Sequence, residues 1–352
     1  MSELAERAAA HFRKVSVVTT DTSGSLPKEQ QVGKGPKVYR VRSFAPRENY
    51  HFPQLPTFVK YLQESRSSIL HIHSLHDIPG PLAALFRGDS LLVLTPHFHG
   101  KINSTLGRFF FSAYRPLLLK LIERVVRIIC VSEFEASLVR DTFPNSVGKI
   151  QVIPNGIDVE LLKEHRWRKP EEPKLLYVGR LEAYKNVDKI LRALAILLKE
   201  TPNLRLTVVG RGPSKLELSN LASNLSLAKS VDWLQSLPKS ELYKLYASST
   251  VVLLPSDLEA FGIAAAEAIA TGAPTIVANS TGLSEFVDAG LAVPVEPPVD
   301  GRELAGRISE VLESPEDFSP RGRFSNLILS WDEVAKRTFS LYESLEAPIC
   351  RS

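Results

Sequence analysis

The chain has only two cysteines, Cys130 and Cys350, and no CxxC pair. That excludes a disulfide framework and a cysteine-built zinc site, and it suits a reducing, cytoplasmic compartment. No run of about 18 apolar residues occurs, so no segment is expected to span a membrane. The opening MSELAERAAAHFRK lacks a long apolar stretch and carries Glu3 and Glu6, which does not read as a secretory signal. Asp-x-Asp and HExxH are missing too, and with them two common metal-binding patterns.

At 352 residues the chain exceeds the usual size of one compact core, so two domains are expected. Its 44% apolar and 23% charged residues are ordinary for a globular protein. The net charge of +4 is uneven: residues 1–155 hold 20 Lys and Arg against 12 Asp and Glu, and the remainder holds 23 against 27. A basic half beside an acidic half suits contact with an anion, such as a phospholipid surface or a phosphorylated substrate. An uneven solvated surface explains the same numbers. No nucleic-acid-binding module accompanies the basic residues, so nucleic acid is not an expected partner.

Short β-branched runs alternate with helical patterns. VSVVTT (15–20), ILHIHS (69–74), SLLVLTP (90–96), RIICVS (127–132) and IQVIPN (150–155) read as buried strands in the first half. KLLYVG (174–179), LRLTVVG (204–210), VVLLPS (251–256) and TIVA (275–278) do so in the second, and VDKILRALAILLKE (187–200) reads as a helix. This alternation predicts an α/β fold with parallel sheets covered on both faces. The charged, Pro-bounded KEHRWRKPEEP (163–173) has the composition of a linker, placing a boundary near 156–173. A last helical stretch, SWDEVAKRTFSLYESL (330–345), has Trp331, Val334, Phe339 and Leu341 to bury and can pack on either domain.

The stretch LPSDLEAFGIAAAEAIATG (254–272) places Glu259 in a loop and Glu267 inside an alanine-rich helix starting near Phe261 and Gly262. The first amides of that helix, at Gly262, Ile263 and Ala264, form an anion site, and each carboxylate is then suited to sugar hydroxyls rather than phosphate. Arg180 and Lys185 follow a buried strand at its carboxyl end, where they can neutralise a diphosphate. Gly210 and Gly212 follow another; a lone GxG is usually only a tight turn, but beside the strand ends of Arg180, Lys185 and Glu259 these two glycines are expected to bind the donor as well. His97 and His99, and His71, His73, His76 and Asp77, lie at two further strand ends. Zinc is one reading of such clusters, but one histidine bonding a substrate hydroxyl is more economical.

These segments together resemble a family 4 glycosyltransferase. The resemblance runs in order over nearly the whole chain: TPHFHG (95–100), CVSEFEASLV (130–139), VIPNGID (152–158), YVGRLEAYKN (177–186), VVGRGP (208–213), the Glu259–Glu267 pair as an E-x7-E motif, STGLSEFVDAG (280–290), and FSNLILSWDEVAKR (324–337). It implies the GT-B architecture, two Rossmann-like doubly wound domains facing a cleft, with domains at 1–160 and 161–325 and a C-terminal helix within 326–352 crossing back to the first. It implies a retaining, metal-independent hexosyltransferase without a cofactor, using a nucleoside diphosphate sugar, UDP or GDP, and a glycan or lipid-linked acceptor. Arg180 and Lys185 would hold the diphosphate. Glu259 and the backbone of Phe261, Gly262 and Ile263 would hold the sugar, Glu267 the ribose, and the Leu234–Leu237 loop the base. His97 would reach the sugar from the other domain. Gln235 stands where family members commonly have glycine.

One departure from the family is expected to matter. The chain begins inside the helix that follows the family's first strand and Gly-rich loop, with LAERA (4–8) resembling its LA-x-x-L pattern. Either the true start lies upstream of this Met1, or the strand and loop are lacking and activity is compromised; a non-catalytic nucleotide-sugar binder or enzyme subunit is then the alternative reading. GRFFFSAYRPLLLKLIERVVR (107–127), aromatic and basic, is suited either to peripheral contact with a membrane or to ordinary packing as an interior helix.

Overall fold

The computed structural model describes residues 2–45, 51–75, 78–98, 100, 105–320 and 326–346. Two compact units divide the chain: Met1–Pro154 with Trp331–Ser352, and Asn155–Ser330.

The N-terminal unit opens with helix α1 (Ser2–His11) and strand β1 (Ser16–Asp21), followed by β2 (Glu29–Gln31), β3 (Lys37–Phe44), β4 (Phe52–Pro53) and helix α2 (Leu55–Glu64). Then come β5 (Ile69–His73), α3 (Pro79–Phe86), β6 (Leu91–Thr95), α4 (Thr105–Arg124), β7 (Val125–Cys130), α5 (Glu133–Thr142) and β8 (Ile150–Val152). Strands β5, β6, β7 and β8 form a parallel sheet in that order. A second sheet pairs β1 with β3 in parallel, while β2 and β4 run antiparallel to β3, so here the expected all-parallel arrangement is replaced by a mixed one. Tyr39 and Val41 of β3 share one core with Ile72 of β5, Leu92 and Leu94 of β6, and Phe58 and Tyr61 of α2. Leu118, Leu121 and Ile122 of α4 are buried in the same core, so the C-terminal half of the basic aromatic segment packs as an interior helix. The side chains of its first half, Arg108 included, lie outside the described residues, as do His76, Asp77 and His99.

The C-terminal unit begins with β9 (Gly156–Ile157), α6 (Val159–Glu164), β10 (Lys174–Val178), α7 (Val187–Leu197), β11 (Arg205–Val209), α8 (Lys215–Asn224) and β12 (Val231–Leu234). It continues with α9 (Lys239–Ala247), β13 (Val251–Leu254), α10 (Ile263–Thr271), β14 (Thr275–Ala278), α11 (Thr281–Asp288), β15 (Val293–Val295), α12 (Gly301–Glu313) and β16 (Leu329–Ser330). A parallel six-stranded sheet runs β12-β11-β10-β13-β14-β15. All residues of β13 and β14 are buried, as their unbroken apolar sequences require at the centre of a covered sheet. Helix α7 buries Val187, Ile190, Leu191, Leu194 and Leu197 at three- and four-residue spacing, the period of one helix face. The two ends of the unit meet where β9 and β16 pair, Gly156 with Leu329 and Ile157 with Ser330.

Helix α13 (Trp331–Glu346) belongs to the N-terminal unit and packs along α1. Ala8, Ala335 and Phe339 are buried between them, with Phe12 and Tyr342 against this cluster. Among the described residues no helix is long and apolar enough to cross a membrane.

Candidate active site

In the six-stranded sheet the strand order reverses at β10 and β13. The loop after β10 and the loop after β13 therefore leave neighbouring strands in opposite directions, opening a crevice at their carboxyl ends. The residues singled out from sequence gather there. Arg180 follows β10 in an exposed loop and pairs with Glu182. A single 3-10 turn, Ala183–Lys185, then directs Lys185 inward, where only 9% of it is exposed. Its ammonium pairs with the Glu259 carboxylate from the loop after β13, and the Tyr184 ring lies 5.0 Å away.

The two loops are laced together around that pair. Asn186 takes the left-handed conformation (φ 56°) and donates from its side-chain amide to the carbonyl of Pro255 at 2.8 Å and to Asp257 at 2.7 Å. The Asp257 amide donates back to the Tyr184 carbonyl at 2.9 Å. On the far side, the Gly282 amide donates to the Glu259 carbonyl at 2.9 Å, and the Glu259 amide to the Thr281 hydroxyl at 3.2 Å. Asn186, Asp257 and Thr281 had no signal of their own in the sequence, because their work is to join segments distant along the chain.

Helix α10 begins beside this pair. Gly262 is its N-cap at φ 92°, and no side chain caps the first turn. The positive φ is what favours glycine here; a Cβ at Gly262 would in addition lie 2.5 Å from a Leu283 methyl, which would have to shift. Phe261 turns its ring inward against Phe286, centroids 5.4 Å apart, which leaves its backbone rather than its side chain at the helix start. Ile263 is 44% exposed.

Glu267, one and a half turns further, is half-buried and accepts hydrogen bonds from the hydroxyls of Tyr243 (3.3 Å) and Tyr246 (3.2 Å) of α9. Burial raises its pKa above the ordinary carboxylate value, while the tyrosine hydroxyls and the charge of Lys239 act to lower it. The only sequence signal for the two tyrosines is their i, i+3 spacing in ELYKLYA, which puts both on one helix face.

Gly210 and Gly212 have a packing task. A Cβ at Gly210 would lie 1.8 Å from the Gly179 carbonyl oxygen, and one at Gly212 would lie 2.3 Å from that of Leu181. The loops after β10 and β11 are thus pressed backbone to backbone, with the Leu181 amide donating to the Arg211 carbonyl at 2.8 Å. The Gly210 amide donates to the carbonyl of Leu234 at 2.8 Å, tying in the loop after β12 that carries half-buried Leu237 and exposed Gln235.

His97 belongs to the N-terminal unit, just after β6, with backbone φ 47°. It stacks on His73, centroids 5.8 Å apart. His71, on the same face of β5, holds Tyr342 at 2.5 Å and Thr95 at 2.8 Å, and burial pushes its pKa down to about 3. Among the described residues no group of three or more His, Cys, Asp or Glu side chains is placed to hold a metal.

A match to the model of the Glycosyltransferase Family 4 spans residues 1–161, and one to Glycosyl transferases group 1 spans 159–326. The chain belongs to glycosyltransferase family 4. A D-inositol 3-phosphate glycosyltransferase of Nocardioides is 26% identical to this glycosyltransferase, over 99% of this chain and 84% of its own. Sucrose-phosphate synthase of Thermosynechococcus elongatus matches 98% of this chain and 92% of its own at a TM-score of 0.80 and 21% identity. The Anabaena protein HepE, solved with UDP and glucose, covers 88% and 86% at 0.67 and 18%. These solved structures share the GT-B fold, and the α/β architecture expected from sequence is the one found.

Proposed function

We propose that this glycosyltransferase moves a hexose from a nucleoside diphosphate sugar, with UDP or GDP as the nucleotide, to a glycan or lipid-linked acceptor with retention at the anomeric carbon. The observation that carries the reading is the Lys185–Glu259 pair at the reversal of the sheet, beside the uncapped start of α10. A diphosphate fits the two cations, Arg180 and Lys185, together with the free amides of a helix N-terminus. Lys185 has three ammonium protons, so it can hold Glu259 and still donate to phosphate oxygens. Glu259 and the backbone of Phe261 to Ile263 then face the sugar. Glu267, held by two tyrosine hydroxyls, keeps lone pairs for the ribose hydroxyls. Leu234 and Leu237 border the base.

In this reading the leaving diphosphate gathers charge as the glycosidic bond breaks, and Arg180, Lys185 and the α10 amides stabilise it without a divalent metal. The departing phosphate helps take the acceptor's proton on the same face, so no protein nucleophile is required. His97 contributes a hydrogen bond to the sugar. That HepE was solved with UDP and glucose supports a nucleotide and hexose for the same fold. The test is transfer or hydrolysis of UDP-glucose and GDP-glucose followed by NMR of the first-formed anomer. An α-product from the α-linked donor is expected. A β-product overturns retention, and binding without any turnover favours a non-catalytic nucleotide-sugar binder.

A further inference from the structure

The motif CVSEFEASLV contains a buried carboxylate with no part in the reading above. Glu135, in the first turn of α5, is 0% exposed. Its two oxygens accept from two different segments: the Phe98 amide at 2.5 Å and the Val131 amide at 2.7 Å. Its own amide donates to the Ser132 hydroxyl, the N-cap of α5, at 3.0 Å. The carboxylate therefore ties the loop after β6 to the end of β7, in the positive field of a helix start.

That loop carries His97, and His97 is strained. A side chain at φ 47° occupies the left-handed region that residues other than glycine adopt rarely, and it persists only where neighbours hold it. The segment before it is held by backbone bonds, from Ser74 to Thr95 at 2.8 Å and from Leu75 to Pro96 at 2.9 Å. After it, the very next amide is the one bound by Glu135. Phe98 is 3% exposed and packs towards Phe143, centroids 6.0 Å apart, so the bond is shielded from water. Residue 97 is pinned on both sides, and a side chain does the pinning on the second.

We propose that Glu135 is a positioning residue: by accepting the Phe98 and Val131 amides it holds the strained backbone at His97, and so fixes the direction of the imidazole. The inference rests on the reading that His97 contacts the transferred sugar. A glutamine at 135 keeps the size but has a single acceptor oxygen, so one of the two amides loses its partner.

The test uses the full chain with Glu135→Gln, His97→Ala, His97→Gly and the double variants. For whichever of UDP-glucose and GDP-glucose turns over, Glu135→Gln is expected to lower kcat by about 10- to 100-fold. The Kd for the free nucleotide should stay at the wild-type value, and the substitution should have no further effect on kcat in the His97→Ala background. A loss equal in both backgrounds, or no loss in either, overturns the proposal. If His97→Ala itself leaves kcat unchanged, the role given to His97 fails rather than that given to Glu135. A second cycle needs no donor: glycine relieves the strain at 97, so Glu135→Gln should lower the melting temperature less in the His97→Gly background than in wild type. An equal drop in both shows that Glu135 does not hold residue 97.

Discussion

At the scale of residues, the proposed function asks one ammonium, that of Lys185, to serve both Glu259 and a phosphate. Lys185 is nearly buried and neutralised by Glu259, so the two side chains stabilise each other before any ligand arrives. Replacing either has opposite consequences for nucleotide binding. Lys185→Ala removes the proposed charge-assisted donor to phosphate and is expected to weaken UDP or GDP binding about 10- to 100-fold, corresponding to roughly 1.5–3 kcal/mol. Glu259→Gln leaves the ammonium without its counter-charge, so the free nucleotide should bind as well as to wild type or more tightly, while turnover of the nucleotide sugar falls. Calorimetric titration of each variant, beside a steady-state assay, separates the two. Equal weakening by both would contradict the division of roles.

At the scale of elements, the strand-end loops are fixed by backbone contact more than by side chains. Gly210→Ala puts a methyl where the Gly179 carbonyl oxygen already lies, so the loops after β10 and β11 must part. We expect a loss of about 1–3 kcal/mol in unfolding free energy, read by denaturant titration, together with weaker nucleotide binding. Helix α5 supplies a pH-dependent term. Burial raises the Glu135 pKa from 4.5 to about 7, against the pull of its two backbone donors. The folded protein then binds more protons than the unfolded chain between these values. The contribution is fully present below about pH 4.5 and is lost as pH rises through about 7. Relative to Glu135→Gln, the wild type should therefore lose stability from pH 5 to 8, by on the order of 3 kcal/mol at most. An unfolding free-energy difference that does not change with pH would contradict this.

At the scale of the molecule, the central strands were legible and the margins were not. Fully apolar runs such as VVLL and TIVA announce themselves because both sheet faces are covered. The edges of the six-stranded sheet, β12 and β15, give little signal: VDWL is short and interrupted by exposed Asp232, and VPV carries the proline that edge positions tolerate. Strand β3, KVYRVRSF, is faint in sequence for a related reason, since it buries Tyr39, Val41 and Ser43 and alternates them with Arg40 and Arg42. The candidate site was legible where the proposed chemistry demands charge, at Arg180, Lys185, Glu259 and Glu267. It was illegible at Asn186, Asp257, Thr281, Tyr243 and Tyr246, which act by joining distant segments. The continuous run Asn155–Ser330 has its own core and holds the proposed nucleotide-binding residues. Expressed alone, it is expected to unfold cooperatively and to bind the nucleotide without catalysing transfer. A fragment that turns over the donor at the rate of the full chain would contradict the role given to His97.

The most direct test of the central claim is calorimetric titration of the full chain with UDP, GDP and ADP, for wild type and Glu267→Ala. Saturable binding of UDP or GDP, weakened about 10-fold or more by the substitution, is the predicted result. No binding of any of the three, or binding indifferent to Glu267, would contradict a nucleotide-sugar site at the crevice between β10 and β13.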